Sequence, residues 1–313
     1  MPGPITKEDM RRLFEQVSNW GRWGEDDERG TLNYLTPERV AAAGRLVKTG
    51  RQVSCARDFP VMPGPENPTP ALHHIVMGGD DPCAHGVPGL EVSLDFIGIA
   101  YHGLASSHID ALCHVFVEGR MYNGHPATDV RSTGARRNSI MAARDGIAGR
   151  GVLLDIPRLR GEPFVALDRP VTAEELGAAA AAQKVAVGEG DILLVSVGRD
   201  AQKRHQPHRP GEEYALAGLD PGCIAWLHER RIAVLGSDAV HDPSPPVRPI
   251  EGWRIPVHMC ALGGMGLHLL DNLHLAGLEQ ACAAEQRWEF FLAVAPLRIA
   301  RGTGSPVNPI AVF

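Results

Sequence analysis

Residues 172–197 read Thr-Ala-Glu-Glu-Leu-Gly-Ala-Ala-Ala-Ala-Ala-Gln-Lys-Val-Ala-Val-Gly-Glu-Gly-Asp-Ile-Leu-Leu-Val-Ser-Val. Thr172 with Glu175 three positions later forms a capping box, in which hydroxyl and carboxyl each satisfy an orphan amide at a helix start. The pattern predicts a helix from Thr172 through Ala182 and, after two glycines, a strand from Asp191 to Val197. The same alternation extends to both sides. A strand is expected over Gly151 to Ile156, a helix over Pro221 to Arg230 and a strand over Ile232 to Leu235. Strands separated by helices imply an α/β fold built on a mostly parallel, buried sheet.

Outward from this block the signals are more varied. Met10, Leu13, Phe14 and Val17 fall at i, i+3, i+4 and i+7, one apolar stripe of a helix over 8–17. Thr36 followed by Pro37 is an N-cap with a first-turn proline, and Lys48-Thr49-Gly50 closes the helix that follows. Between them, residues 18–33 keep neither periodicity, and Trp20 and Trp23 can bury aromatic surface against a ligand, against a neighbouring subunit or simply against their own core. Strands are expected over 52–56 and 94–100, separated by a proline- and glycine-rich loop over 57–90 that carries His73, His74 and His85. Toward the C-terminus, His258 opens a short apolar helix, Leu267 to Leu270 form a strand delivering Asp271, and strands close the chain over 289–295 and 307–312. The whole is expected to be one domain over 1–313, with an N-terminal helical and loop arm over about 1–50.

Ligands collect beyond the carboxyl ends of parallel strands. Gly198-Arg199-Asp200 and Gly236 to Ser244 lie there, which makes Arg199, Asp238 and His241 candidate pocket residues; the alternative is ordinary polar strand-end loops.

The densest chemistry lies at 101–125, where His102, His108, Asp110, His114 and His125 share one window. The even numbers of the first four matter. In extended backbone, side chains two apart share a face, whereas on a helix six residues turn by about 600° and two by about 200°. Strand or strand-plus-turn therefore gathers these groups and helix scatters them. Imidazole and carboxylate donors without paired thiolates suit Zn²⁺, Mn²⁺ or Fe²⁺ and argue against a closed structural zinc site. A polar turn with hydrogen-bonded histidines is the competing reading.

Composition narrows the classes. With 313 residues the chain can bury an ample core. Six cysteines without a CxxC pair suggest neither a disulfide framework nor a zinc finger, and read as small buried hydrophobes in a reducing compartment. A net charge of −6 with interspersed signs offers no basic stripe, so nucleic acid is not an expected partner. No basic leader with an apolar run and no membrane-length apolar stretch occurs, so a cytoplasmic protein is expected.

Taken together, these segments resemble the cyclase family of metal-dependent hydrolases, which includes bacterial kynurenine formamidase and isatin hydrolase. Ser107-His108-Ile109-Asp110-Ala111-Leu112-Cys113-His114 is similar to the later half of the family signature HxGTHxDxPxH. The likeness extends to Trp23 through Asn33, to Gly236-Ser237-Asp238 and to His258 through Leu273. There are departures: Leu104 stands where the family has its first histidine, with His102 two residues earlier, Ser107 replaces a threonine, and Asp271 replaces a glutamate.

The resemblance implies a swivelling β/β/α fold and a Zn²⁺ or Mn²⁺ cofactor held by His108 and Asp110. His102 would join them if the chain bulges, and His258 with Asp271 would serve a second metal. It implies His114 as general acid/base and a small-molecule substrate whose amide, lactam, lactone or N-formyl bond is cleaved by metal-activated water. Trp20, Trp23, Phe116 and Asp238 are expected around the substrate, and the assembly is expected to be a homodimer or homotetramer. Two other outcomes are a metal-assisted cyclase or lyase acting on a polyketide-like carbonyl compound, and a non-catalytic small-ligand binder with a degenerate site.

Overall fold

The computed structural model describes residues 5–81, 84–208 and 214–313. Its strands in chain order are β1 (Gln52–Ser54), β2 (Leu72–Met77), β3 (Leu94–Gly98), β4 (His108–Asp110), β5 (Val130–Arg131), β6 (Gly134–Ala135), β7 (Ile147–Asp155), β8 (Ile192–Ser196), β9 (Val234–Ser237), β10 (His268–Asp271), β11 (Glu289–Val294), β12 (Gly304–Pro306) and β13 (Ile310–Val312). Helices are α1 (Lys7–Val17), α2 (Pro37–Gly44), α3 (Ile156–Arg160), α4 (Ala173–Ala182), α5 (Arg199–His205), α6 (Cys223–Glu229), α7 (Pro256–His258) and α8 (Ala276–Glu285). A π-helical stretch, Met259–Met265, continues α7.

Nine strands form one sheet in the order β1-β13-β11-β7-β8-β9-β10-β4-β12. Its middle is parallel, β7 to β8 to β9 to β10. The flanks are antiparallel, β11 on β7 at one side and β4 on β10 at the other. The α/β sheet read from the alternation is therefore present and parallel through its middle, but five of its eight strand pairs are antiparallel, which the alternation does not announce.

Successive side chains enter opposite layers. Leu193, Val195, Val152, Leu154 and Leu269 belong to one buried apolar cluster, while Ile192, Leu194, Leu153 and Leu270 belong to the other. Fully burying a leucine or isoleucine is worth about 1.5–3 kcal/mol, so a strand apolar on both faces is fixed in place twice. α4 starts on the expected capping box, with Thr172 and Glu175 each bonded to the other's backbone. α1 has one as well, through Thr6 and Asp9, and buries Met10 and Val17.

One expectation needs correction: the segment 57–90 is not simply a loop, since it contains β2. β2 and β3 pair with each other as a separate antiparallel hairpin. Leu72, Ile75, Val76, Phe96 and Ile97 are exposed on it. Of the cysteines, Cys83 lies outside the described residues; the other five are buried and free. Among the described residues no helix is long and apolar enough to cross a membrane.

The segment Trp23 to Asn33 is a brace. Thr31 donates its hydroxyl to Ala233 and Gly266 carbonyls, and Asp27 accepts from the Tyr122 hydroxyl and the Gly30 amide. Gly30, at φ +57°, lies so close to Gly266 that a Cβ would stand 2.1 Å from the Gly266 carbonyl oxygen. Only glycine meets both conditions.

Candidate metal centre

β4 and β10 are short antiparallel neighbours, with Asp110 opposite Leu269 and His108 opposite Asp271. Cross-strand partners lie on the same face, so this register brings His108, Asp110 and Asp271 to one side while Ile109 and Leu270 enter the opposite core. α7 supplies His258 to that side, the chain before β4 supplies His102, and the turn after β4 supplies His114.

Asp110 is fully buried at the centre. His102 Nδ1 lies 3.0 Å from its Oδ1, His108 Nε2 3.4 Å and His114 Nε2 3.9 Å, and His258 Nε2 lies 3.7 Å from Oδ2. Asp271 Oδ2 is 3.3 Å from His258 Nε2 and its Oδ1 is 3.1 Å from His241 Nε2. These approaches are close, yet Asp110 Oδ1 and Oδ2, Asp271 Oδ1 and His102 Nδ1 have no aligned hydrogen-bond partner. Short distances with poor alignment mean that the lone pairs converge on common points rather than on one another.

The outer nitrogens of the same rings are committed elsewhere. His108 Nδ1 lies 2.9 Å from the Ser106 carbonyl, His102 Nε2 3.0 Å from the Thr303 hydroxyl and His258 Nδ1 2.7 Å from Asp242 Oδ2. A ring with one nitrogen held by an acceptor presents the other in fixed orientation, as metal-ligating histidines do.

Two triads share Asp110: His102, His108 and Asp110, and Asp110, His258 and Asp271, each with donor atoms within 4.8 Å of one another. Ligand atoms about 2.1 Å from a common tetrahedral ion stand roughly 3.4 Å apart, close to the 3.0, 3.4 and 3.3 Å separations here. The residues therefore fit a divalent cation. Buried carboxylates need a countercharge, and a cation would supply it.

The electrostatics without a cation point the same way. Burial works against charge on His108, but Asp110 and Asp271 overcome it and push the imidazole up to about 9. His258 is likewise raised despite burial, by Asp271 and Asp242. Burial works against the charge on Asp110 and Asp271, yet His102, His108 and His114 hold the first, and His258 and His241 the second, well below the usual carboxylate range. His114 differs: burial pushes it down to about 4, only partly opposed by Asp110. Its ring stacks on His102, centroids 3.9 Å apart.

Beside the cluster is a cavity of about 190 Å³ reached by His108, His114, His258 and Asp271, with Leu104, Val240 and Ile255 on its wall. The side-chain set expected around a substrate is mostly elsewhere. Trp20 packs edge-on against Phe14 and donates its indole N–H to the Gly263 carbonyl at 2.8 Å. Trp23 packs on Tyr34. Phe116 is exposed and, like both tryptophans, does not line the cavity. Asp238 is buried, its two oxygens accepting the Val197 and Arg199 amides; a carboxylate spent on backbone at the end of β8 is a structural cap. His73, half-exposed on the hairpin, pairs with Asp95, and His74 stacks on Phe96.

Two further contributors, Asp242 and Asn272, are less visible in the sequence, and Arg199, a candidate from its strand-end position, joins them. Asp242 accepts the Val257 and His258 amides as well as the His258 ring. Asn272, at φ +56°, donates to the Gly103 and Ser106 carbonyls. Arg199 is buried and donates to Asn272 Oδ1 at 2.6 Å and to the Leu104 carbonyl. The last two clamp the chain between His102 and His108. The available signal was chemical: a ligating histidine needs an acceptor for its second nitrogen, and Asp242 is the carboxylate next to His241 in a strand-end loop.

Residues 53–241 match the sequence pattern of the family named Cyclase. A crystal structure described as a novel cyclase is 33% identical and superposes with a TM-score of 0.85, covering 95% of this chain and 100% of its own. An isatin hydrolase bound to the product analogue thioisatinate gives 17% identity and a TM-score of 0.58, over 89% of this chain and 99% of its own. Isatin hydrolase A from Labrenzia aggregata, bound to benzyl benzoate, gives 20% and 0.55, over 90% and 98%. No curated protein matches the chain significantly.

Proposed function

The chain belongs to the cyclase family, and from that premise we propose that it is a metal-dependent hydrolase opening an amide, lactam, lactone or N-formyl bond in a small molecule. The observation that carries this reading is the committed outer nitrogen on each of His102, His108 and His258, which leaves their inner nitrogens to converge on the unpartnered oxygens of Asp110 and Asp271. The hydrolases of the same fold lend it support.

His102, His108 and Asp110 would hold one cation, and Asp110, His258 and Asp271 a second; imidazole and carboxylate donors suit Zn²⁺ or Mn²⁺. Bound there, a divalent cation supplies Lewis acidity, polarising a carbonyl and easing loss of a proton from water. His114 takes that proton and delivers it to the leaving nitrogen or oxygen. Burial keeps the free imidazole neutral, so it can act as the base. Leu104, Val240 and Ile255 offer an apolar wall to the body of the substrate.

Within this proposal Leu104 is not a missing ligand: the chain turns so that His102 takes the place beside Asp110, which weighs against a degenerate, binding-only site. Assembly into a homodimer or homotetramer is part of the same proposal, supported by the apolar side chains that the β2–β3 hairpin leaves in solvent; light scattering after gel filtration tests it.

Elemental analysis of the purified protein, followed by a screen of N-formyl, lactam and lactone compounds with product mass, tests the activity. One water added to the product is expected. Products whose summed mass shows no added water would move the assignment to a cyclase or lyase, and full turnover without bound metal would overturn it.

A further inference from the structure

The cavity next to the cluster has an apolar wall and, among the described residues, one arginine or lysine lining it, Arg254. Other arginines near the site are spent. Arg57 pairs with Asp200, and Arg199 is bonded to Asn272. Arg254 has no ion-pair partner among the described residues and is exposed to solvent. Its backbone is held from both sides: Trp253 before it is buried against Phe14, and Pro256 after it starts α7. Pro243, Pro245, Pro246 and Pro249 stiffen the rest of the loop, so little chain entropy is lost when a ligand is gripped there.

Resting on the hydrolase reading above, we propose that Arg254 selects substrates carrying a carboxylate, its guanidinium taking the anionic end while the apolar wall takes the body and the scissile carbonyl reaches the histidine cluster. The volume, about 190 Å³, holds a body the size of one ring or a short branched chain. A guanidinium pairs with carboxylate through two parallel N–H donors, which fixes direction as well as charge. A neutral compound of the same shape leaves that cation without a partner and is discriminated against.

The test is calorimetric titration of the metal-loaded protein with phenylacetate and with 2-phenylethanol, two inert probes of similar shape, repeated on Arg254→Gln. Arg254 is on the surface, and circular dichroism checks that the variant is folded. Wild type is expected to bind phenylacetate at least tenfold more tightly than 2-phenylethanol, and Arg254→Gln to bring the two within about threefold by weakening the acid alone. Equal binding by wild type, no binding of phenylacetate, or a preference that survives in Arg254→Gln overturns the proposal; the last outcome would place the carboxylate on the histidine cluster. The titration involves no turnover. An Arg254-dependent preference with a silent substrate screen would therefore sink the hydrolase reading alone.

Discussion

Asp242 Oδ2 accepts from the His258 ring at Nδ1, 2.7 Å away, while the same carboxylate accepts the amides of Val257 and His258. One side chain thus starts α7 and orients the imidazole that α7 carries, so that His258 Nε2 can lie only toward Asp271 and Asp110. Removing an acceptor of this kind usually costs ten- to a hundredfold in metal affinity. Asp242→Ala is expected to weaken Zn²⁺ or Mn²⁺ binding by about that factor, read by competition with a chelating dye. Unchanged affinity would mean that His258 is not a ligand.

His102 and Leu104 compete for one role. With His102 Nδ1 3.0 Å from Asp110 and Leu104 on the cavity wall, His102→Ala is expected to lower bound metal per chain, whereas Leu104→Ala leaves it at the wild-type value. His108→Ala and Asp110→Ala should lose metal and activity together. Elemental analysis after gel filtration reads all four.

Metal binding should also be visible as stability. A ligand bound only by the folded chain contributes about 2.7 kcal/mol at a hundred times its dissociation constant. Thermal melting with and without a chelator is expected to differ accordingly, and Asp110→Ala, which removes the ligand shared by both triads, should abolish the difference.

Arg199 joins Asn272 to the Leu104 carbonyl inside the protein. Truncation strands buried acceptors, and we expect Arg199→Ala to cost roughly 2–4 kcal/mol in urea unfolding. It should also loosen the 103–106 segment, so metal affinity falls with stability. Arg254→Ala, on the surface, should leave stability unchanged.

Away from the metal centre, burial pushes the Glu279 carboxyl up to about 7, opposed by a hydrogen bond from the Ser196 hydroxyl and reinforced by Asp238, Asp155 and Asp200. The folded state then holds a proton that the unfolded chain has released above about 4.5. Stability is full below that pH and declines as pH rises through about 7, by roughly 3 kcal/mol at most. Glu279→Gln should flatten this part of the pH profile in denaturant titrations between pH 5 and 8.

Much of the frame was set by sequence alone, because local rules act on neighbours in the chain. The capping box at Thr172 and Glu175, the apolar run at 191–197 and the even spacing of His108 and Asp110 each express a backbone preference that tertiary contacts reinforced. Only the fold decided what depends on partners far along the chain. The register of β4 against β10 put Asp271 opposite His108. Long-range contacts tied Trp20 to Phe14 and the Gly263 carbonyl and Trp23 to Tyr34, and spent Asp238 on backbone amides. Asp242 acquired its role only when α7 began on it. A side chain's type limits what it can bond to, but the choice among those partners is made by whichever distant groups share its desolvated surroundings, and short-range periodicity holds no record of them.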